Sequence, residues 1–122
     1  MRLAIALLFL LFSSASFAQS ASPEGTFRDK FGTTVRFSYC GNGTQLCAVL
    51  LNIGGASRTT ANLAFVNQRV VKANKTSARS WKGTVNFFGM KANGTITLVK
   101  PDTINVKGCR GILCQTLAFR RT

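Results

Sequence analysis

Two cysteines enclose a short glycine-containing loop in the stretch 108–114, which reads GCRGILC. The run QTLAFR at 115–120 follows it and has the apolar and polar alternation of a β-strand. Residues 40–47, with the sequence CGNGTQLC, repeat this arrangement earlier in the chain. Both loops contain glycine, which tolerates the positive φ that tight turns require. The sequence therefore predicts two β-hairpins, each flanked by its own pair of cysteines.

The four cysteines allow three disulfide pairings. We expect Cys40 to pair with Cys47 and Cys109 with Cys114, because facing residues of a hairpin lie about 4.5–5.5 Å apart and a disulfide needs Cα atoms within about 7 Å. In the alternative, the two hairpins are neighbours and the disulfides cross between them. A four-thiolate zinc site is a further alternative, although these spacings differ from the usual C-x2–4-C pairs.

Residues 1–18 have the features of a cleaved secretory signal. Arg2 supplies a positive start, ten apolar residues occupy positions 3–12, and SFA at 16–18 places small residues next to the cleavage position. A membrane-spanning helix needs about 20 apolar residues, twice the length of this run. We therefore expect an exported protein, periplasmic or secreted, whose mature chain 19–122 forms one domain in a compartment where disulfides persist.

Alternating apolar and polar residues predict strands along the mature chain. Residues 33–39 alternate regularly, and 45–53 form a nearly continuous apolar returning strand. Asn-Gly at 93–94 predicts another hairpin turn, residues 19–23 are expected to be frayed, and 54–80 show no clear pattern. Seven to nine short strands joined by short turns predict an all-β fold, either an antiparallel barrel or a sandwich.

The composition excludes several kinds of chemistry. The chain has no histidine, so it lacks Ser-His-Asp and Cys-His nucleophile systems and His-ligated metals. Its only acids are Glu24, Asp29 and Asp102. A hydrolase with paired carboxylates needs two acids in one cleft, and calcium or magnesium needs several oxygen ligands. We therefore expect no enzymatic activity, no cofactor and no metal.

The charge is strongly positive, with sixteen Lys and Arg residues against three acids and a net charge of +13. Such a chain is attracted to anionic lipid headgroups, acidic polysaccharides and nucleic acids. The basic residues are spread along the sequence, and no block of five like charges occurs. Such a charge is also typical of a small protein that is simply soluble. Whether the basic residues cluster on one surface depends on the fold.

Several motifs resemble those of the domain-of-unknown-function 2147 family of small secreted bacterial proteins. The closing pattern Gly-Cys-x-Gly-x-x-Cys-x-Thr-x-x-aromatic-x-Arg occupies 108–121. Weaker motifs precede it: GTF at 25–27, VRF at 35–37, the Cys-Gly and Leu-Cys of 40–47, and WKG at 81–83. The resemblance implies a calycin-like or lipocalin-like antiparallel barrel and implies no established activity.

A small barrel of about eight strands holds either a packed interior or one small ligand. Nine apolar residues are predicted to line this interior: Val35, Phe37, Phe87, Ile96, Leu98, Ile104, Val106, Leu117 and Phe119. The short chain favours a filled interior over a roomy pocket, and Trp81 is predicted to be buried. We expect a non-enzymatic binding protein for a small apolar ligand. The alternatives are a basic protein that docks on anionic lipid or polysaccharide and a nucleic-acid-binding barrel, which export argues against.

The prediction of a cleaved secretory signal can be tested directly. We expect cleavage after Ala18, because Ser16 and Ala18 are small residues at the positions that a signal peptidase recognises. Intact-mass measurement of the protein recovered from its native host checks this cut. A mass that still contains residues 1–18 would contradict it.

Overall fold

The computed structural model describes residues 21–122, so the predicted signal sequence at 1–18 and residues 19–20 lie outside the described part of the chain. Eight antiparallel strands form a closed barrel in sequence order. The strands are β1 (Gly25–Arg28), β2 (Thr34–Cys40), β3 (Gln45–Asn52), β4 (Arg69–Ser77), β5 (Ser80–Phe87), β6 (Met90–Lys100), β7 (Thr103–Arg110) and β8 (Leu113–Arg121). The predicted all-β antiparallel barrel is confirmed, and the sandwich alternative is wrong.

The up-and-down order places alternate connections at opposite ends of the barrel. One end, called here the closed end, carries the β2–β3, β4–β5 and β6–β7 turns together with residues 21–24. The other end, called here the mouth, carries four connections: residues 29–33, 53–68, 88–89 and 111–112.

The barrel closes through a short seam between its first and last strands. Strand β1 pairs with β8 at only two positions, Phe27 with Arg121 and Arg28 with Arg120. All other neighbouring strands pair over four to eight positions. Residues 113–119 of β8, which lie toward the mouth, therefore have no pairing partner on β1.

The segment 54–80, which has no clear sequence pattern, divides into two parts. A 3₁₀ turn (Gly55–Ser57) and the single-turn helix α1 (Thr60–Leu63) cross the mouth, and the Thr59 side chain caps α1 by accepting the backbone N–H of Asn62. Strand β4 (Arg69–Ser77) forms the second part, and its last four residues are polar and exposed. Within 21–122, neither helical segment is long and apolar enough to span a membrane.

The prediction of a turn at Asn93-Gly94 is wrong, because both residues lie inside β6. The chain reverses at Phe88-Gly89 instead, where both residues have positive φ, +51° and +92°. Two positive φ values in a two-residue loop are the geometry of a type I′ hairpin. Gly94 serves packing: a Cβ there would lie 3.2 Å from the Cβ of Val85, so only glycine leaves room for that inward side chain.

Both disulfides have the predicted local pairing. Cys109 and Cys114 face each other across β7 and β8, with Cα atoms 4.1 Å apart. Cys40 and Cys47 are not directly opposite, since Cys47 faces Ser38 in the register. They bond diagonally on one face of the hairpin, with Cα atoms 5.9 Å apart. Two disulfides in a small domain are consistent with an oxidising, exported location.

Trp81 and Arg121 lie at the closed end of the barrel. The predicted burial of Trp81 is confirmed: it is 1% exposed, and its Nε1–H donates to the carbonyl of Thr44 at 3.0 Å. The guanidinium of Arg121 lies 4.5 Å from the centre of the Phe27 ring, which is a cation–π geometry. Its Nη atoms donate to three carbonyls, those of Ser22, Glu24 and Pro101.

The Arg121 contacts also fix the start of the described chain. Pro23 is fully buried and Ala21 packs against the core, so the prediction of a frayed segment is wrong for residues 21–23. The physical reason is that one side chain at the end of β8 satisfies the otherwise exposed carbonyls of Ser22 and Glu24.

Arg121→Gln is expected to lower the free energy of unfolding by about 1–3 kcal/mol, since it removes charge-assisted hydrogen bonds and the cation–π contact. Arg120→Gln is the matched control, because Arg120 is the exposed neighbouring residue with the same charge. Urea unfolding followed by Trp81 fluorescence measures both. Equal stabilities for the two variants would show that Arg121 does not hold the seam.

Candidate functional site

An apolar cavity of about 350 Å³ opens at the mouth of the barrel. Fourteen of its twenty lining residues are hydrophobic, and Asp29 is the only charged one. The volume falls at the lower end of the range of about 300–1,000 Å³ that is usual for small-molecule sites. The cavity is therefore suited in size and lining to one small apolar molecule.

The cavity forms because inward side chains differ in size along the barrel. Toward the mouth, the register places Ala48, Val71 and Val85 side by side on β3, β4 and β5. These small side chains leave the space between them open. Toward the closed end, the interior holds large, almost fully buried side chains such as Trp81 and Phe27. The expected filled interior thus applies to one half of the barrel only.

The nine residues predicted to line the interior divide between these two halves. Six of them line the cavity: Val35, Phe37, Phe87, Val106, Leu117 and Phe119. The other three, Ile96, Leu98 and Ile104, are buried in the core and do not line the cavity. Phe87 and Leu117 are only half-buried, because they lie where the filled core gives way to the open mouth.

Some lining residues were missed by the sequence reasoning. Val85 is two residues from the predicted interior residue Phe87, so strand alternation was sufficient to find it, whereas Val71 lies within 54–80, where the sequence shows no clear pattern. Phe31 and Phe88 lie in connections, where no periodicity indicates which way a side chain points. Those two aromatic residues reach the cavity only because the connections fold over the mouth.

Several polar groups of the cavity are already used to shape its rim. The Asp29 carboxylate accepts the backbone N–H groups of Phe31 and Thr33, each at 2.9 Å. The Asn86 amide oxygen accepts the N–H of Gly89 at 2.7 Å and so supports the β5–β6 turn. These hydrogen bonds fix the loops at the mouth, and the walls below them are apolar.

Phe88 occupies an unusual backbone conformation at the cavity wall. Its φ of +51° is in the left-handed region, which a bulky aromatic residue rarely adopts. The ring is half-buried, lines the cavity and packs edge-on against Phe65, with centroids 6.4 Å apart. Strained positions of this kind concentrate at functional sites. Asn or Gly is the usual residue at this turn position, so the aromatic ring points to a role in the cavity.

The three acids lie in separate places and do not form a catalytic pair. Glu24 accepts the backbone N–H of Tyr39 at the closed end, Asp29 shapes the mouth, and Asp102 accepts the hydroxyl of Thr103 in the β6–β7 turn. Within residues 21–122, no three side chains of the metal-binding types come together.

The fold and the cavity together define a closed eight-stranded antiparallel barrel that is filled at one end and hollow at the other. No protein-family model, no curated protein and no solved structure matches this chain. The arrangement of apolar walls below a polar rim can hold a molecule by noncovalent contact.

Phe88→Asn tests the cavity wall without breaking the turn. Asn accepts positive φ, which offsets the lost packing, so the free energy of unfolding is expected to change by less than about 1 kcal/mol. Uptake of the neutral fluorescent probe N-phenyl-1-naphthylamine is expected to weaken, because the cavity loses an aromatic wall.

Met90→Asn is the control for this variant, since Met90 follows the same turn and does not line the cavity. It is expected to take up the probe like the unmodified protein. A loss of about 2 kcal/mol or more in Phe88→Asn with unchanged probe uptake would identify Phe88 as a packing residue only.

Proposed function

We propose that this protein is an exported, non-enzymatic binding protein that holds one small apolar molecule in the mouth of its barrel. The observation that carries the proposal is the cavity of about 350 Å³ with mainly hydrophobic walls. A protein interior normally leaves few voids larger than a water molecule. An opening of this size, lined by five phenylalanine side chains, is a feature that ligand binding explains.

The lining favours an uncharged ligand. Burying a charge in an apolar site is unfavourable unless it is paired, and the only charged lining residue, Asp29, already accepts two backbone hydrogen bonds. The rings of Phe37, Phe87 and Phe119 offer faces and edges for contact with a flat aromatic or a branched aliphatic molecule. Polar groups of the ligand would remain at the rim, near Asn86 and Gln115.

The export part of the proposal is supported by three features. Residues 1–18 have the features of a secretory signal. The chain forms two disulfides, which persist mainly in oxidising compartments, and its motifs resemble those of a family of small secreted bacterial proteins. The absence of histidine and the separation of the three acids favour binding over catalysis.

Two buried alanines provide a matched test. Ala48 and Ala73 are both 1% exposed and point into the barrel, but only Ala48 lines the cavity. Ala48→Leu is expected to fill the cavity, to lower probe affinity about tenfold or more, and to leave stability unchanged or higher. Ala73→Leu is expected to overpack the filled half and to cost about 1–3 kcal/mol.

Titration of N-phenyl-1-naphthylamine and urea unfolding measure the two variants side by side. The folded fraction of Ala73→Leu is expected to bind the probe with unchanged affinity, because its cavity is intact. If Ala48→Leu binds the probe like the unmodified protein, the ligand site is not this cavity and the proposal fails.

A further inference from the structure

The most exposed apolar side chains of the described barrel lie at one end. Within residues 21–122, four large hydrophobic side chains are more than half exposed: Phe31 at 53%, Met90 at 52%, Ile112 at 96% and Leu113 at 76%. All four belong to connections, or to the strand ends beside them, at the mouth. Scattered exposed hydrophobic residues are normal, but a gathered group marks an interaction surface.

Three of these residues form a compact group, called here the apolar tip: Met90, Ile112 and Leu113. The register of β6 with β7 pairs Asn93 with Cys109, and continuing it three residues toward the mouth brings Met90 level with Ile112. A groove between the two hairpins is lined by both Met90 and Leu113. The Cys109–Cys114 disulfide closes the β7–β8 hairpin directly below Ile112 and holds it in shape.

Basic side chains border the apolar tip. Lys91 and Arg110 are exposed beside it and line the same groove, and Arg110 Nη1 lies 3.3 Å from the Met90 sulfur. Four more cations lie at or beside the mouth connections: Arg28, Lys30, Arg58 and Arg69. The only acid at this end is Asp29, and its carboxylate accepts two backbone N–H groups.

The apolar tip contributes little to folding. Ile112 is almost fully exposed, and the turn itself needs only Gly111, which has a φ of +64°. A polar residue at position 112 would satisfy the same turn and would avoid apolar surface in water. The two adjacent apolar residues, Ile112 and Leu113, are therefore unexplained by the stability of the barrel.

A second copy of the chain is a poor partner for this surface. A symmetric dimer joins the same patch of both copies, so contact through the apolar tip would bring Lys91 and Arg110 against their own counterparts. Like charges opposite each other are destabilising. A partner with an apolar interior and negative charge on its surface complements the tip in both respects.

We propose that the apolar tip inserts into an anionic lipid bilayer, with Lys91 and Arg110 contacting headgroup phosphates. Apolar side chains on a rigid hairpin enter the boundary between headgroups and acyl chains, and basic residues near an anionic membrane strengthen binding by about fivefold each. The tip residues do not line the cavity, so this membrane contact does not depend on the proposed ligand. It would direct the mouth of the barrel toward the lipid.

Co-sedimentation with vesicles tests this docking. The protein is expected to bind vesicles of phosphatidylcholine mixed with phosphatidylglycerol and to bind pure phosphatidylcholine at least about tenfold more weakly. Ile112→Ser combined with Leu113→Ser is expected to weaken binding to the mixed vesicles about tenfold. Val99→Ser is the matched control, because Val99 is an exposed apolar residue at the closed end, and it is expected to bind normally.

The contribution of charge is tested in the same assay. Lys91→Gln with Arg110→Gln is expected to weaken binding to the mixed vesicles by about tenfold or more. Arg79→Gln with Lys100→Gln removes the same net charge at the closed end and is expected to have a clearly smaller effect. Equal losses in the two double variants would contradict a docking surface at the tip, because they would show attraction by net charge alone.

Fluorescence shows whether the tip enters the membrane. Ile112→Trp is expected to emit at shorter wavelength when mixed vesicles are added and to be quenched by brominated acyl chains. The natural Trp81 is buried at the opposite end and is expected to give no response in the unmodified protein. An unshifted Ile112→Trp emission in the presence of bound vesicles would overturn the proposal. So would a solution dimer that the Ile112→Ser and Leu113→Ser variant abolishes.

Discussion

The closure of the barrel depends on Arg121. Strand β1 has four residues and pairs with β8 at only two positions, which is a weak seam for a closed sheet. The Arg121 guanidinium reinforces that seam, since it covers the Phe27 ring and donates to carbonyls of the N-terminal segment and of the β6–β7 turn. Three separate parts of the chain meet at this side chain. Because charge-assisted hydrogen bonds are stronger than neutral ones, one residue can hold the closed end together.

The interior of the barrel is packed toward the closed end and open at the mouth. Trp81 and Phe27 are almost fully buried toward the closed end, and the same core continues into residues that line the cavity, such as Phe37 and Leu50. Toward the mouth the inward residues are small, and the unfilled volume between them forms the cavity. A protein of this size buries only a modest core. The packing at the closed end and the two disulfides, which constrain their hairpins, offset the packing energy that is lost around the cavity.

The two proposed surfaces lie at the same end and differ in construction. The cavity consists of strand side chains and the folded-over connections around Phe31 and Phe88. The apolar tip consists of two hairpin ends that project away from the core, with Lys91 and Arg110 beside them. A barrel whose mouth rests on lipid would have its apolar cavity facing a source of apolar molecules. The high positive charge of the chain agrees with an anionic partner.

The sequence by itself determined the fold class, the local disulfide pairing and about half of the buried core residues, because strand alternation and cysteine-flanked turns are local patterns. The prediction of a turn at Asn93-Gly94 was wrong, because the same dipeptide suits both a turn and a close contact between strands. Only the tertiary structure decided which inward residues face a cavity, because that depends on the register that places Ala48, Val71 and Val85 at one level. It also decided that Met90 and Leu113, which are distant in the chain, share one exposed groove. Such contacts depend on how strands align in space, and no local pattern records that alignment.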